Sequence, residues 1–128
     1  MSPVSYDPSR GLEEQLIDAL EKYIGVITTS DSIGLQRIVI SEFLRDLDRS
    51  RTFFSKAASH DYPVTKLISE AMDSGVIRKA DPKYAANQLL GLTKSFFFWP
   101  EFLLGEKPKA DGIMQDCVAM FLSHYKIP

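Results

Sequence analysis

Apolar residues recur along the chain at steps of three and four, a spacing that predicts helices from one end to the other. Leu12, Leu16, Leu20, Tyr23 and Ile27 share one side of a first helix over about 12–28, and Glu13, Glu14, Asp18, Glu21 and Lys22 take its solvent side. Asp7-Pro8 is a start signal, because Asp accepts hydrogen bonds from free backbone N–H groups and Pro suits the first helical position. A helix is expected to follow it at once. The polar run Thr28-Thr29-Ser30-Asp31-Ser32 then ends that helix and offers Asp31 as the next cap.

Ile38-Val39-Ile40 alone would suit a buried strand. Helix is the better assignment for 33–47, since Leu35, Val39 and Phe43 keep a step of four and no second strand-like run exists to pair with. Phe53, Phe54, Ala57 and Ala58 mark the inward side of a third helix that breaks near Asp61. Pro63 forces Tyr62 out of the α region, so a kink is expected before Val64, Leu67, Ile68, Ala71 and Met72 resume the apolar stripe.

Ser74-Gly75-Val76-Ile77 has the form of a helix C-terminus with Gly75 left-handed and the following apolar residues folded back. Asp81-Pro82 repeats the opening signal. The helix it starts, about 82–104, is apolar on nearly every side, as is the last one, about 111–125, with Ile113, Cys117, Met120 and His124 on one row and Met114, Val118, Phe121 and Tyr125 on another. A helix apolar all round must be covered all round. Five or six short helices cannot easily surround both, so a partner chain is implied. The expected fold is all-α: one domain over 1–128, a bundle of five to six helices whose last two form a dimeric four-helix seam.

Composition narrows the function. With 128 residues, 45% hydrophobic and 25% charged, the chain suits a single globular domain that needs no metal or disulfide to fold. Fifteen Lys and Arg are scattered among seventeen acids for a net charge of −2, which argues against direct contact with nucleic acid. Cys117 is the lone cysteine and the N-terminus has no signal-peptide pattern, so the cytoplasm is the expected location. The most apolar stretch, Leu89 to Leu104, is interrupted by Lys94, Pro100 and Glu101 and falls short of a bilayer span of about 20 residues. No membrane role is implied.

Catalytic chemistry finds little support. Ser59-His60-Asp61 superficially offers a hydrolase trio, but consecutive helical residues point in different directions. Cys117 and His124 lie two turns apart on one face, too far to share a zinc ion without further ligands. With no phosphate-binding glycine loop and no Glu-x-x-His pair, neither an enzyme nor a cofactor is expected.

One segment has a known likeness. Gly75-Val76-Ile77-Arg78, Asp81-Pro82, Ala85-Ala86-Asn87-Gln88-Leu89-Leu90-Gly91-Leu92 and Phe98-Trp99-Pro100 together resemble the C-terminal domain of TetR-family transcriptional regulators. The likeness extends over roughly 12–125 and is most specific over 75–100. The family's N-terminal helix-turn-helix domain is absent from these residues, so DNA contact is expected only through a domain not present here. The resemblance implies a domain that binds an effector inside the bundle and dimerises through its last two helices.

The residues support both roles. Gly91 and Ser95, one turn apart, permit close approach of another helix, although Gly91 can equally pack on a neighbour in its own chain. The expected interface comprises Gln88, Gly91, Leu92, Ser95, Trp99, Cys117, Phe121 and His124, and the expected partner is a second copy of the chain. Ile27, Val39, Phe43, Phe54, Leu67, Leu90 and Phe97 sit on inward rows of separate helices and are expected to line a cavity for a small apolar or aromatic effector, with Tyr23 and Gln88 as candidate orienting groups. The alternative is a stand-alone helical homodimeric interaction module with a filled core and no ligand. A cavity distinguishes the two.

Overall fold

A computed structural model describes residues 2–57 and 61–128. Its elements are α1 (Leu12–Ile27), α2 (Ser30–Arg45), α3 (Leu47–Ala57), α4 (Pro63–Asp73), α5 (Pro82–Phe97), α6 (Trp99–Leu104) and α7 (Ile113–Tyr125). All are helical, as the periodicity predicts. The count is six if the six-residue α6 is taken as the bent end of α5.

Helices α1, α4, α5 and α7 pack into a four-helix core. Leu16, Leu20, Leu67, Ile68, Leu89 and Val118, contributed by all four, are completely buried there. The α2–α3 hairpin stands to one side: α3 packs on α2, and α2 reaches the rest through α1 and through a small second cluster of Ile33, Phe98 and Phe102. Arg37 on α2 donates from Nε and Nη2 to the Phe102 carbonyl at 3.3 and 2.9 Å, tying the hairpin to α6.

Several local expectations change. Asp7-Pro8 does not open α1; Asp7 Oδ1 instead accepts from the Ser9 N–H and hydroxyl at 2.9 and 2.7 Å in a turn, and α1 begins after Gly11. The cap of α2 is Thr29, whose hydroxyl accepts from the Ser32 N–H, and Asp31 lies inside the first turn. At Pro63 the chain does not kink within a helix but starts a new one, with the Tyr62 N–H donating to Thr65 Oγ1 at 3.1 Å. The helix expected over 82–104 breaks at Phe98, because Pro100 has no N–H to continue the ladder. Asp81 does cap α5, accepting from the Lys83 N–H at 3.0 Å.

Gly75 ends α4 as expected. Its φ is +79°, the Val76 N–H reaches back to the Ala71 carbonyl and its own N–H to Met72, and Ile77 folds into the core, whereas Val76 stays exposed. Because a side chain at this φ is strained, Gly75→Ala is expected to cost about 1–2 kcal/mol. Denaturant unfolding at fixed protein concentration measures it. An unchanged midpoint would show that the turn relaxes.

Candidate functional site

The outward face of α5 and α7 forms the first candidate. Gly91 and Ser95 are exposed on α5, in a shallow groove of about 610 Å³ between Asn87, Gln88, Leu92 and Phe96. A Cβ built on Gly91 meets no atom within 4 Å, so no neighbour in its own chain requires a glycine there. Met120 on α7 and Phe96 and Trp99 near the end of α5 are large apolar side chains left about half exposed or more.

The expected interface residues divide. Leu92 and Gln88 are half-buried, and Trp99 and His124 are exposed. Cys117 and Phe121 are not on this face: both are 3% exposed, Phe121 within the main core and Cys117 against α5, where its thiol points at the Leu92 carbonyl at 3.7 Å. The reason is the row they occupy: Phe121 shares the buried side of α7 with Met114, Val118 and Tyr125, and Cys117, about 20° around a straight helix from His124, falls just inside the edge of that side. Burial, with Asp116 adding to it, pushes the Cys117 thiol above its ordinary value, so it is not an activated nucleophile. Gln88 is occupied too: its Oε1 accepts from the Tyr125 hydroxyl.

The second candidate lies between the four-helix core and the α2–α3 hairpin. The seven residues expected to converge on one cavity are not brought together. Leu67 and Leu90 are packed in the main core, with Ile27 and Phe97 half-buried at its edge. Phe43 and Phe54 instead join Phe53 in an aromatic trio on the hairpin, ring centroids 4.7–5.6 Å apart, and Val39 is half-buried on α2. In place of the kink expected to splay the helices, residues 61 and 62 are non-helical and Pro63 opens α4.

What does gather, where α1, the start of α4 and α5 meet, is a group of half-buried polar side chains. Tyr23 on α1 and Tyr62 at the start of α4 meet edge to face at 5.8 Å. Lys94 on α5 places Nζ 5.6 Å from the Tyr23 ring, 5.4 Å from Tyr62 and 5.9 Å from Phe98. Burial lowers the pKa of Lys94, and burial with Tyr62 alongside pushes the Tyr23 phenol up to about 12. Of these, Tyr23 is visible from the sequence as a candidate orienting group. Lys94 is visible there only as a charge interrupting an apolar stretch.

Among the described residues no three His, Cys, Asp or Glu side chains come together as a metal site, and no helix is long and apolar enough to cross a membrane. Ala58, Ser59 and His60 lie outside the described residues, and Asp61, the last of the Ser-His-Asp run, pairs with Lys83 at 3.5 Å.

Residues 14–127 match the family described as AefR-like transcriptional repressor, C-terminal domain. Among solved structures, the chain is similar to a TetR family transcriptional regulator from Pseudomonas syringae pv. tomato str. DC3000, with 27% sequence identity and a TM-score of 0.82. That likeness covers 96% of this chain and 66% of the other, so the chain spans just under two thirds of its solved relative. No curated protein sequence matches it.

Proposed function

Because this chain belongs to the family of AefR-like transcriptional repressor C-terminal domains, a branch of the TetR regulators, we propose that it is the effector-binding and dimerisation part of such a regulator. DNA contact then falls to a helix-turn-helix domain outside these 128 residues. The domain acts in the cytoplasm as a non-enzymatic switch: an apolar effector that favours one helix arrangement biases the spacing of two DNA-binding heads.

The observation that carries this reading is the exposed face of α5 and α7. Gly91 has no contact in its own chain that explains it, yet a glycine inside a helix costs about 1 kcal/mol against alanine. A helix from a second copy, meeting Gly91 and Ser95 and covering Leu92, Phe96 and Met120, accounts for both the glycine and the exposed apolar side chains. Pairing about a two-fold axis would make the four-helix seam.

Light scattering on the chain is therefore expected to give about twice 14.4 kDa at tens of micromolar, and Gly91→Arg is expected to give a folded monomer. A monomeric parent, or a variant that stays dimeric, would overturn the assignment of this face.

A further inference from the structure

We propose that Lys94 and the rings around it form a head-group site, so that the effector is an apolar molecule bearing a carboxylate. This rests on the effector-binding reading above and names the chemical class of ligand.

Four observations lead there. Lys94 is half-buried where α1, α4 and α5 meet, with Nζ 5.4–5.9 Å from the ring centroids of Tyr23, Tyr62 and Phe98. Other cations near acids are paired on the surface, Arg10 with Glu14 and Asp18 and Lys107 with Glu101, at 2.7–3.0 Å. Lys94 has no carboxylate within 4 Å among the described residues. The rings offset part of the desolvation of the ammonium by attraction to their faces. They do not neutralise it, and burial still disfavours its charged form.

A bound carboxylate supplies the missing charge at a half-buried ammonium, where a charge-assisted hydrogen bond is stronger than in open water. The Tyr23 and Tyr62 rings lie beside it, and the high pKa of Tyr23 keeps that phenol protonated and able to donate. The surroundings fit an apolar body on the same molecule: Phe98 continues into the cluster with Ile33 and Phe102, against which Ile27 and Ile40 pack. An acid with a hydrocarbon tail meets a cation at one end and this cluster along its length.

The test uses the 128-residue chain with decanoate and 4-phenylbutyrate as probes and 1-decanol and 4-phenyl-1-butanol as their uncharged counterparts, read by calorimetric titration and thermal melting. At least one acid is expected to bind ten-fold or more tighter than its alcohol, and the better of the two acids distinguishes an aliphatic from an aromatic tail. Lys94→Met is expected to remove that preference while leaving alcohol binding in place, and Lys94→Arg to retain most of it. If Lys94→Met fails to fold, the acid–alcohol comparison on the parent chain decides alone. Alcohols binding as tightly as acids, or a preference that survives in Lys94→Met, would overturn the head-group site and leave the effector-binding reading standing. No binding of either class would overturn both.

Discussion

Leu89→Ala is expected to lower stability by about 2–5 kcal/mol, and the melting temperature by roughly 10 °C at fixed protein concentration. Leu89 is completely buried on α5, and α5 packs against α1, α4 and α7, so it sits where the largest number of elements depend on one side chain. Removing its branched end deletes transfer free energy and leaves a space that three neighbouring helices can close only by moving together. Leu44→Ala is the control: it removes the same atoms from a leucine 83% exposed on α2, and the expected change is within about 0.5 kcal/mol. Equal losses at the two sites would mean that the hairpin is covered in solution and that stability is not concentrated in the four-helix core.

Gln15→Met should cost about 1–3 kcal/mol through hydrogen bonding, since shape and volume barely change. Gln15 is a polar side chain buried to 4%, and its amide grips the N-terminal segment from both sides. The Asp7 N–H donates to Oε1 at 2.8 Å, and Nε2 donates to the carbonyls of Asp7 and Arg10 at 2.8 and 3.0 Å. Beyond this clamp, the Tyr6 N–H donates to the Glu70 carboxylate at 2.9 Å and the Val4 N–H to the Pro63 carbonyl at 3.1 Å, so the segment lies across α4. Methionine removes the donors and acceptor of the clamp but keeps the packing. Amide exchange in residues 4–10 should rise well before exchange in α5 or α7, and limited proteolysis should cut there first. Protection that stays unchanged over 4–10 would show that contacts with α4 alone hold the segment.

The same clamp explains one limit on what the sequence reveals. Asp7-Pro8 and Asp81-Pro82 are the same dipeptide signal, and local chemistry alone assigns both to helix starts. At Asp81 no other group competes and the cap forms. At Asp7 a glutamine eight residues downstream takes the backbone N–H and carbonyl, and the carboxylate turns to Ser9. Signals written in adjacent residues survive folding when nothing distant outbids them, as the Gly75 turn also does.

Periodicity identifies the buried rows of α1, α4, α5 and α7 because each row has one wall to face. It does not separate Phe121 and Cys117 from the outward face, because α7 is apolar on several sides and the angular difference between rows is small. Nor does it detect the break at Phe98, since apolar residues continue on both sides of it. The Lys94 site is the least visible in the sequence. Its three walls come from α1, the start of α4 and the end of α5, residues 23, 62 and 98, and no pattern within a short window links them.

Arg78, in the turn between α4 and α5, carries a consequence for how the chain is made. Its N–H donates to the Tyr125 carbonyl at 2.9 Å, its guanidinium donates to the His124 carbonyl at 3.1 Å, and the same group lies 4.6 Å over the Tyr125 ring. The last turn of α7 is thus latched to the middle of the chain, and α7 itself completes the wall over α1 and α5. During synthesis, α1, α4 and α5 emerge from the ribosome with that wall missing. At about 5–20 residues per second, several seconds separate the appearance of α1 from that of Tyr125. For that interval, Leu16, Leu20 and Leu89 belong to a nascent chain whose core is not yet closed, and only the arrival of α7 completes their shelter.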